Sequence, residues 1–266
     1  MKKIFTLTSL SILFFLFSCT VPSGVDVTEY FPVNRTYYSL YISDGMIVTV
    51  DEDIDEVVIT ADEKVMEKIK VENTSGTLRI FRRDVSLAYP TKTIVRIPYN
   101  PNLRDVEVGM DSEFHTDYGI GVPELNSKVI AEYRGEFDGY VIAKNLDLIV
   151  KDDAEAMCFY DVENKLYLKI HDSSIAEIDG YANTIQLDMK NDSKMASRWN
   201  GDYYAAQCTY CDGALENTCI AYIDCEEEIA VTLTNGSVLY YTSLPDISET
   251  YLDDSSDIVY SGGDKK

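Results

Sequence analysis

Between Leu146 and Cys225 the chain repeats itself at intervals of roughly twenty residues, and a period of that size is the mark of stacked units rather than of a single folded sheet. Written as units, the segment is LDLIVKDDAEAMCFYDVEN, LYLKIHDSSIAEIDGYAN, IQLDMKNDSKMASRWNGD, YAAQCTYCDGALENTC and the shorter YIDCEEEIAVTLTNGS. Each opens with residues whose alternate members are apolar or small: Leu146, Leu148 and Val150; Leu166, Leu168 and Ile170; Ile185, Leu187 and Met189; Tyr204, Ala206 and Cys208; Ile223 and Cys225. Alternation with a period of two puts those side chains on one face of a strand. Each strand then breaks at an acid, Asp152, Asp172, Asp192 or Asp212, followed by turn-forming residues such as Ser173-Ser174 and Gly213-Ala214. One strand and one turn cannot bury an apolar face alone, so the units must stack. The expectation is an all-β chain folded as a parallel β-helix, or solenoid, with rungs of about 20 residues. Val150, Ile170, Met189, Cys208 and Cys225 are expected to share one inward column.

The beginning of the chain has a different character. Lys2-Lys3 precedes an apolar run from Ile4 to Phe17, too short to cross a bilayer that takes about 20 helical residues. This is the pattern of a secretion signal. It ends in Leu16-Phe17-Ser18-Cys19, which resembles the bacterial lipobox, with Cys19 as the lipidated new N-terminus. Residues 1–18 are therefore expected as a lipoprotein signal peptide, and 19–36 as a lipidated N-terminus and tether without sustained periodicity. Removing residues 1–18 takes away two lysines and no acids, which moves the formal net charge from −23 to −25. Such a surface repels polyanions and excludes nucleic acid as a partner.

From Tyr38 the chain shows strands: YSLYI, a turn at Asp44-Gly45, MIVTV, an acidic turn through Asp51-Glu52-Asp53, and EVVIT. Asp62 is placed to cap a short helix over Glu63 to Ile69, before TLRIF and TIVRIPY. Pro98 to Asn102 is expected as the turn into the first regular rungs, so the ladder starts near Leu103. The order of strand, Asp-Gly, MIVTV, acidic turn and VVITADEKVMEKIKVENTSGTLRI resembles the entry of the head GIN domain, an auto-transporter adhesin family found in lipoproteins of Bacteroidetes. The close at Asn235-Gly236-Ser237-Val238-Leu239-Tyr240-Tyr241 and Ser255-Ser256-Asp257-Ile258-Val259 is similar to that family's ending. The resemblance implies a right-handed β-helix over 37–259, a tail at 260–266, an adhesin-like role and a place in the cell envelope. Lipid on Cys19 implies lasting anchorage to a membrane, expected to be the outer membrane. The periplasmic face is preferred, because Thr20-Val21-Pro22-Ser23 lacks the acidic stretch linked to surface export in such lipoproteins.

No catalytic set stands out. His115 and His171 are the only histidines, both are expected as turn or surface residues, and neither has a nucleophile motif beside it. Cys208, Cys211, Cys219 and Cys225 have the number needed for a zinc site, but the chain is exported and a second Cys-x2-Cys is missing, so neither metal nor cofactor is expected. Core packing, a thiol ladder or a disulfide all fit Cys208 and Cys225. The acids Asp152, Asp172, Asp192 and Asp212 are expected to accept backbone N–H bonds in their own turns rather than to hold calcium. Phe159, Tyr181 and Trp199 each follow an acidic turn and form a candidate ligand platform for a glycan or protein partner. The function expected is thus a non-enzymatic envelope lipoprotein acting as an adhesin-like or scaffold binding module. The alternative is a pectin-type lyase or hydrolase, a reading that a groove holding Lys190, Lys194 and Arg198 together with Asp192 would strengthen and scattered placement would weaken.

Overall fold

A computed structural model of the chain describes residues 20–83, 91–196, 206–248 and 250–261. In chain order the first elements are β1 (Asp26–Pro32), β2 (Ser39–Ile42), β3 (Met46–Asp51), β4 (Glu56–Asp62), α1 (Glu63–Met66), β5 (Ile69–Thr74), β6 (Thr77–Arg82), β7 (Thr93–Pro98), β8 (Asp105–Val108), β9 (Glu113–Ile120) and β10 (Asn126–Glu132). The long strands follow: β11 (Glu136–Lys151), β12 (Glu155–His171), β13 (Ile175–Lys190), β14 (Lys194–Ala196), β15 (Ala206–Glu216) and β16 (Ile220–Thr234). The last are β17 (Val238–Tyr241), β18 (Asp246–Ile247), β19 (Tyr251–Leu252) and β20 (Asp257–Tyr260).

From β8 onward neighbouring strands pair in parallel, and each rung has two faces. The first half of each long strand pairs on one face, as in Phe137 with Ala156 and Ala176. After a register shift at the corner, the second half pairs on the other, as in Leu146 with Leu166 and Ile185. The chain is thus a parallel β-solenoid, and the alternation explains its core. Leu148, Leu168 and Leu187 point inward and are at most 1% exposed, while Lys169 between two such positions stays half-exposed. Each fully buried aliphatic side chain is worth about 1.5–3 kcal/mol of transfer free energy.

The acidic turns have a common geometry. Asp152-Asp153, Asp172-Ser173, Asn191-Asp192 and Asn217-Thr218 all place two successive residues in the left-handed region, with φ between 58° and 62°. That conformation costs most L-residues about 1–2 kcal/mol, least for Asn and Asp. It also aims one turn's N–H at the next turn's carbonyl, so the turns stack. Asp153 N donates to Asp172 O (3.1 Å), Ser173 N to Asn191 O (2.8 Å), Asp192 N to Asn217 O (2.9 Å) and Thr218 N to Asn235 O (3.0 Å). The residue after each turn is small and buried: Ala154, Ser174, Ser193, Cys219 and Ser237 form one column, in which Ser174 Oγ accepts from Ala154 N and Ser237 Oγ from Cys219 N.

Several expectations are corrected here. Asp212 is not a turn residue. It lies within β15 opposite Gln186, and the turn comes five residues later at Asn217-Thr218, because this rung has 26 residues between equivalent turn positions instead of about twenty. Gly213, expected in the same turn, is mid-strand in the inward column beside Leu187, where a Cβ would stand 2.0 Å from Leu187 O. The same shift moves Cys208 out of the column of Val150, Ile170 and Met189. Leu215 takes that place, and Cys208 continues the column of Val162 and Ala182 and pairs with Cys225. The ladder also begins before Leu103: β2 and β3 pair in parallel with β8 and β9 on one side and with β6 and β7 on the other. Finally, Asp26–Pro32 of the expected tether is β1, antiparallel to β4.

The end formed by β6 and β7 is closed. β5 runs antiparallel to β6, β4 to β7 and β1 to β4, and α1 packs Val65 and Met66 into the same core. As a result Leu78, Ile80, Val95 and Ile97 in this outermost rung are 0% exposed.

Candidate functional site

Two of the grooves among the described residues hold the side chains singled out from the sequence. The first, about 530 Å³, follows the stacked turns and is lined by Asp111, Arg134, Asp152, Asp172 and Asp192 among others. Four of its carboxylates are engaged with neighbours. Arg134 grips Asp111 through two hydrogen bonds (2.5 and 2.9 Å), Lys151 Nζ lies 3.7 Å from Asp152, Asn191 Nδ2 donates to Asp172 Oδ1 at 2.8 Å, and Thr218 donates its hydroxyl to Asp192. For Asp172 and Asp192 the donors come from the next rung and not from the acid's own turn, contrary to expectation. These acids tie rungs together.

The second groove, about 420 Å³, lies on the face built from the first halves of the long strands. Its floor is set by strand pairing. Tyr140 on β11 pairs directly with Phe159 on β12, and Asp138 with Met157, so all four side chains point outward side by side. Tyr181 stands one rung further and two residues along, opposite Asp161, and is 40% exposed. Parallel strands are spaced about 4.8 Å apart, so Tyr140, Phe159 and Tyr181 trace a diagonal aromatic path. The hydroxyl of Tyr181 meets Thr209 Oγ1 at 2.9 Å, which orients the ring from the far side.

One wall of this groove is ionic. His115 on β9 pairs with Asp138, with Nδ1 3.5 Å from Asp138 Oδ2 and Nε2 3.3 Å from Glu113 Oε2. Behind it, Glu113, Glu136 and Glu155 stack in one outward column. The Glu136 carboxyl is raised from its ordinary value by burial and by Glu113 and Glu155 on either side. An aromatic floor beside carboxylates and an imidazole can stack on a sugar ring and accept hydrogen bonds from its hydroxyls.

The other residues singled out from the sequence fall as follows. Trp199, Arg198 and Cys19 lie outside the described residues. His171 is not an exposed turn residue: it closes β12, its side chain is 17% exposed, and its Nε2 is 3.1 Å from Asp188 Oδ1. Asp188 also accepts from Tyr167 Oη at 3.2 Å; burial works to raise its carboxyl, but these partners hold it below the usual range. Lys190 and Lys194 flank the Asn191-Asp192 turn on different faces, Lys190 lying 3.9 Å from Asp188 and 3.8 Å from Glu216. All five described cysteines are buried free thiols. Cys219 stands apart from the pair in the small-residue column, its Sγ 3.3 Å from Ser193 Oγ. Tyr140, His115 and Asp138 were missed as groove residues. Aligning EFHTDYGI, EFDGYVIA and EAMCFYDV, one rung at a time, brings His115 onto Asp138 and Tyr140 onto Phe159, and is the signal that finds them.

This fold is found in solved structures. A "putative adhesin" from Parabacteroides merdae superposes with a TM-score of 0.73 at 14% identity, covering 91% of this chain and 95% of that one. A "putative adhesin" from Parabacteroides distasonis gives 0.70 at 16% identity, covering 91% and 97%. A "putative lipid binding protein" from the same species gives 0.71 at 12% identity, covering 91% and 98%. No curated protein matches the chain. The family model described as "Putative auto-transporter adhesin, head GIN domain" matches residues 36–199, more than half of the chain, and the chain belongs to that family.

Proposed function

We propose that this protein is a non-catalytic, adhesin-like binding module of the cell envelope, held to a membrane by lipid on Cys19, that presents its aromatic face to a glycan. The carrying observation is the outward pairing of Tyr140 on Phe159 above the His115–Asp138 wall. Membership of an adhesin family supports a binding role. The separation of Lys190 from Lys194 weighs against a lyase, which needs its cations gathered in one groove around an anionic sugar. Neither described histidine has a nucleophile aligned beside it; both are held by carboxylates.

A glycan array probed with the soluble Cys19→Ser chain tests the proposal. At least one glycan class should be retained, and Phe159→Ala or Tyr181→Ala should weaken it at least tenfold while moving the melting temperature by no more than about 2–4 °C, the shift that 1 kcal/mol produces in a chain of this size. Phosphatidylethanolamine vesicles form a second arm, because one structure of this fold bears a lipid-binding name. Capture by vesicles without glycan retention would assign the face to lipid. Turnover of a purified polysaccharide that Asp138→Asn abolishes without loss of fold would overturn the non-catalytic reading.

A further inference from the structure

The two ends of the solenoid differ. At the β6–β7 end, antiparallel strands and α1 cover the outermost inward side chains completely. At the other end the last strands, β18, β19 and β20, are all parallel additions to β16 and β17, and among the described residues no antiparallel strand or helix crosses them. Their inward residues continue columns that are fully buried one rung earlier. Ile247 stacks on Ile229, Leu252 on Leu233 and Ile258 on Leu239, and each of those partners is 0% exposed. Ile247 itself is 39% exposed, Leu252 38%, and Tyr260, stacked on Tyr241, 45%. Among the described residues nothing covers the cross-section of the hydrophobic core here, and the outer edge of β20 presents backbone groups in strand geometry. Solenoids ordinarily finish with a polar capping unit, and an uncapped strand edge is a template for another strand.

We infer that this end is a docking surface for an extended segment of a partner protein that adds as the next parallel strand, with apolar residues at alternate positions and lysine or arginine between them. Alternation matches the inward columns that the segment would cover. The charge requirement comes from the rim. Residues 246–261 contain five acids and no lysine or arginine, and Asp246, Asp254 and Asp257 are exposed. A second copy of this chain docked through this same end would bring the same acids against one another, and one docked head to tail would meet the covered β6–β7 end, whereas a basic segment relieves the acids.

The intact, detergent-purified chain should bind the labelled peptide KVKVKVKVK saturably in fluorescence anisotropy. The same composition without alternation, KKKVVVVKK, and the acidic EVEVEVEVE should each bind at least tenfold more weakly. The pair Ile247→Lys and Leu252→Lys should lower binding at least tenfold, with melting little changed because both side chains are already partly in solvent. Asp246→Asn, Asp254→Asn and Asp257→Asn together keep the apolar end, so binding should weaken and lose most of its salt dependence even if the lysine variants fold poorly. Equal binding of the two lysine–valine peptides, or indifference to both sets of substitutions, would overturn the proposal. So would sedimentation showing a dimer that Leu252→Lys dissolves, since the occupant would then be a second copy.

Discussion

Asp62 is a buried carboxylate that closes the first turn of α1 and pins the entry of the chain to it. It is 2% exposed and accepts hydrogen bonds from Lys64 N (3.0 Å), Gly24 N (2.7 Å) and Ser23 Oγ (2.9 Å). Burial works to raise its pKa, but the donors outweigh it and hold the group at about 2. A carboxylate whose folded pKa lies below its unfolded one stabilises the fold above the ordinary range near 4, and that contribution is lost as the pH falls from about 4 to about 2. Asp62→Asn should therefore be destabilised near neutral pH, and its melting temperature should fall less steeply than the parent's through that acid window. Parallel melting curves for the two across the window would remove Asp62 from the account of acid stability. The capping role was visible in the sequence, where Asp62 directly precedes Glu63-Lys64-Val65-Met66. Its hold on Ser23 and Gly24 was not, because nothing in residues 20–25 has a period to read.

At the scale of the element, the turn column carries an amide chain. Asn235 Nδ2 donates to Asn217 Oδ1 (2.9 Å), Asn217 Nδ2 to Asn191 Oδ1 (2.9 Å), and Asn191 Nδ2 to the Asp172 carboxylate (2.8 Å). The chain ends on a charge, which favours one common orientation of the amides. Asn217 also holds φ of 62°. Asn217→Ala loses both amide bonds, at about 0.5–1.5 kcal/mol each, and leaves a Cβ in a left-handed turn at about 1–2 kcal/mol. Asn217→Gly loses the same bonds but adopts the backbone without strain. Chemical denaturation should rank wild type above Gly above Ala; equal losses for the two variants would mean that the backbone conformation contributes nothing. From the sequence, the acids at intervals of twenty located the turns at Asp152 and Asp172. The count failed at Asp212 because one rung is longer, and only the pairing of Gln186 with Asp212 reveals the slip.

Taken as a whole, the molecule depends on its inward columns, so a charge placed in one should be felt along the stack. Ile170 is 0% exposed between Val150 and Met189. Ile170→Asp buries an unpaired charge and should cost several kcal/mol, more than about 4, whereas the neighbouring outward Lys169→Asp should cost well under about 1; similar midpoints of unfolding for the two would sink the register. The proposed anchorage is tested at the same scale: Cys19→Ser should move the protein from membrane to soluble fractions on cell fractionation, and persistent membrane retention would refute lipidation. The sequence by itself determined that the chain stacks, because strand alternation and a fixed turn period are local patterns that any rung repeats. It also singled out Phe159, Tyr181 and Trp199 by their place after an acidic turn, but which way their rings point was not legible there, because direction depends on the register of each strand against its neighbours. The tertiary structure decided what lies beside what: that β2 and β3 are threaded between the β6–β7 rung and the β8–β9 rung, that Cys208 meets Cys225, that Tyr140 and His115 share a groove with Phe159, and that one end is closed and the other, among the described residues, is not. Those outcomes depend on register between distant segments, and register is set by how many residues each rung spends at its corners, a quantity that no single stretch of sequence records.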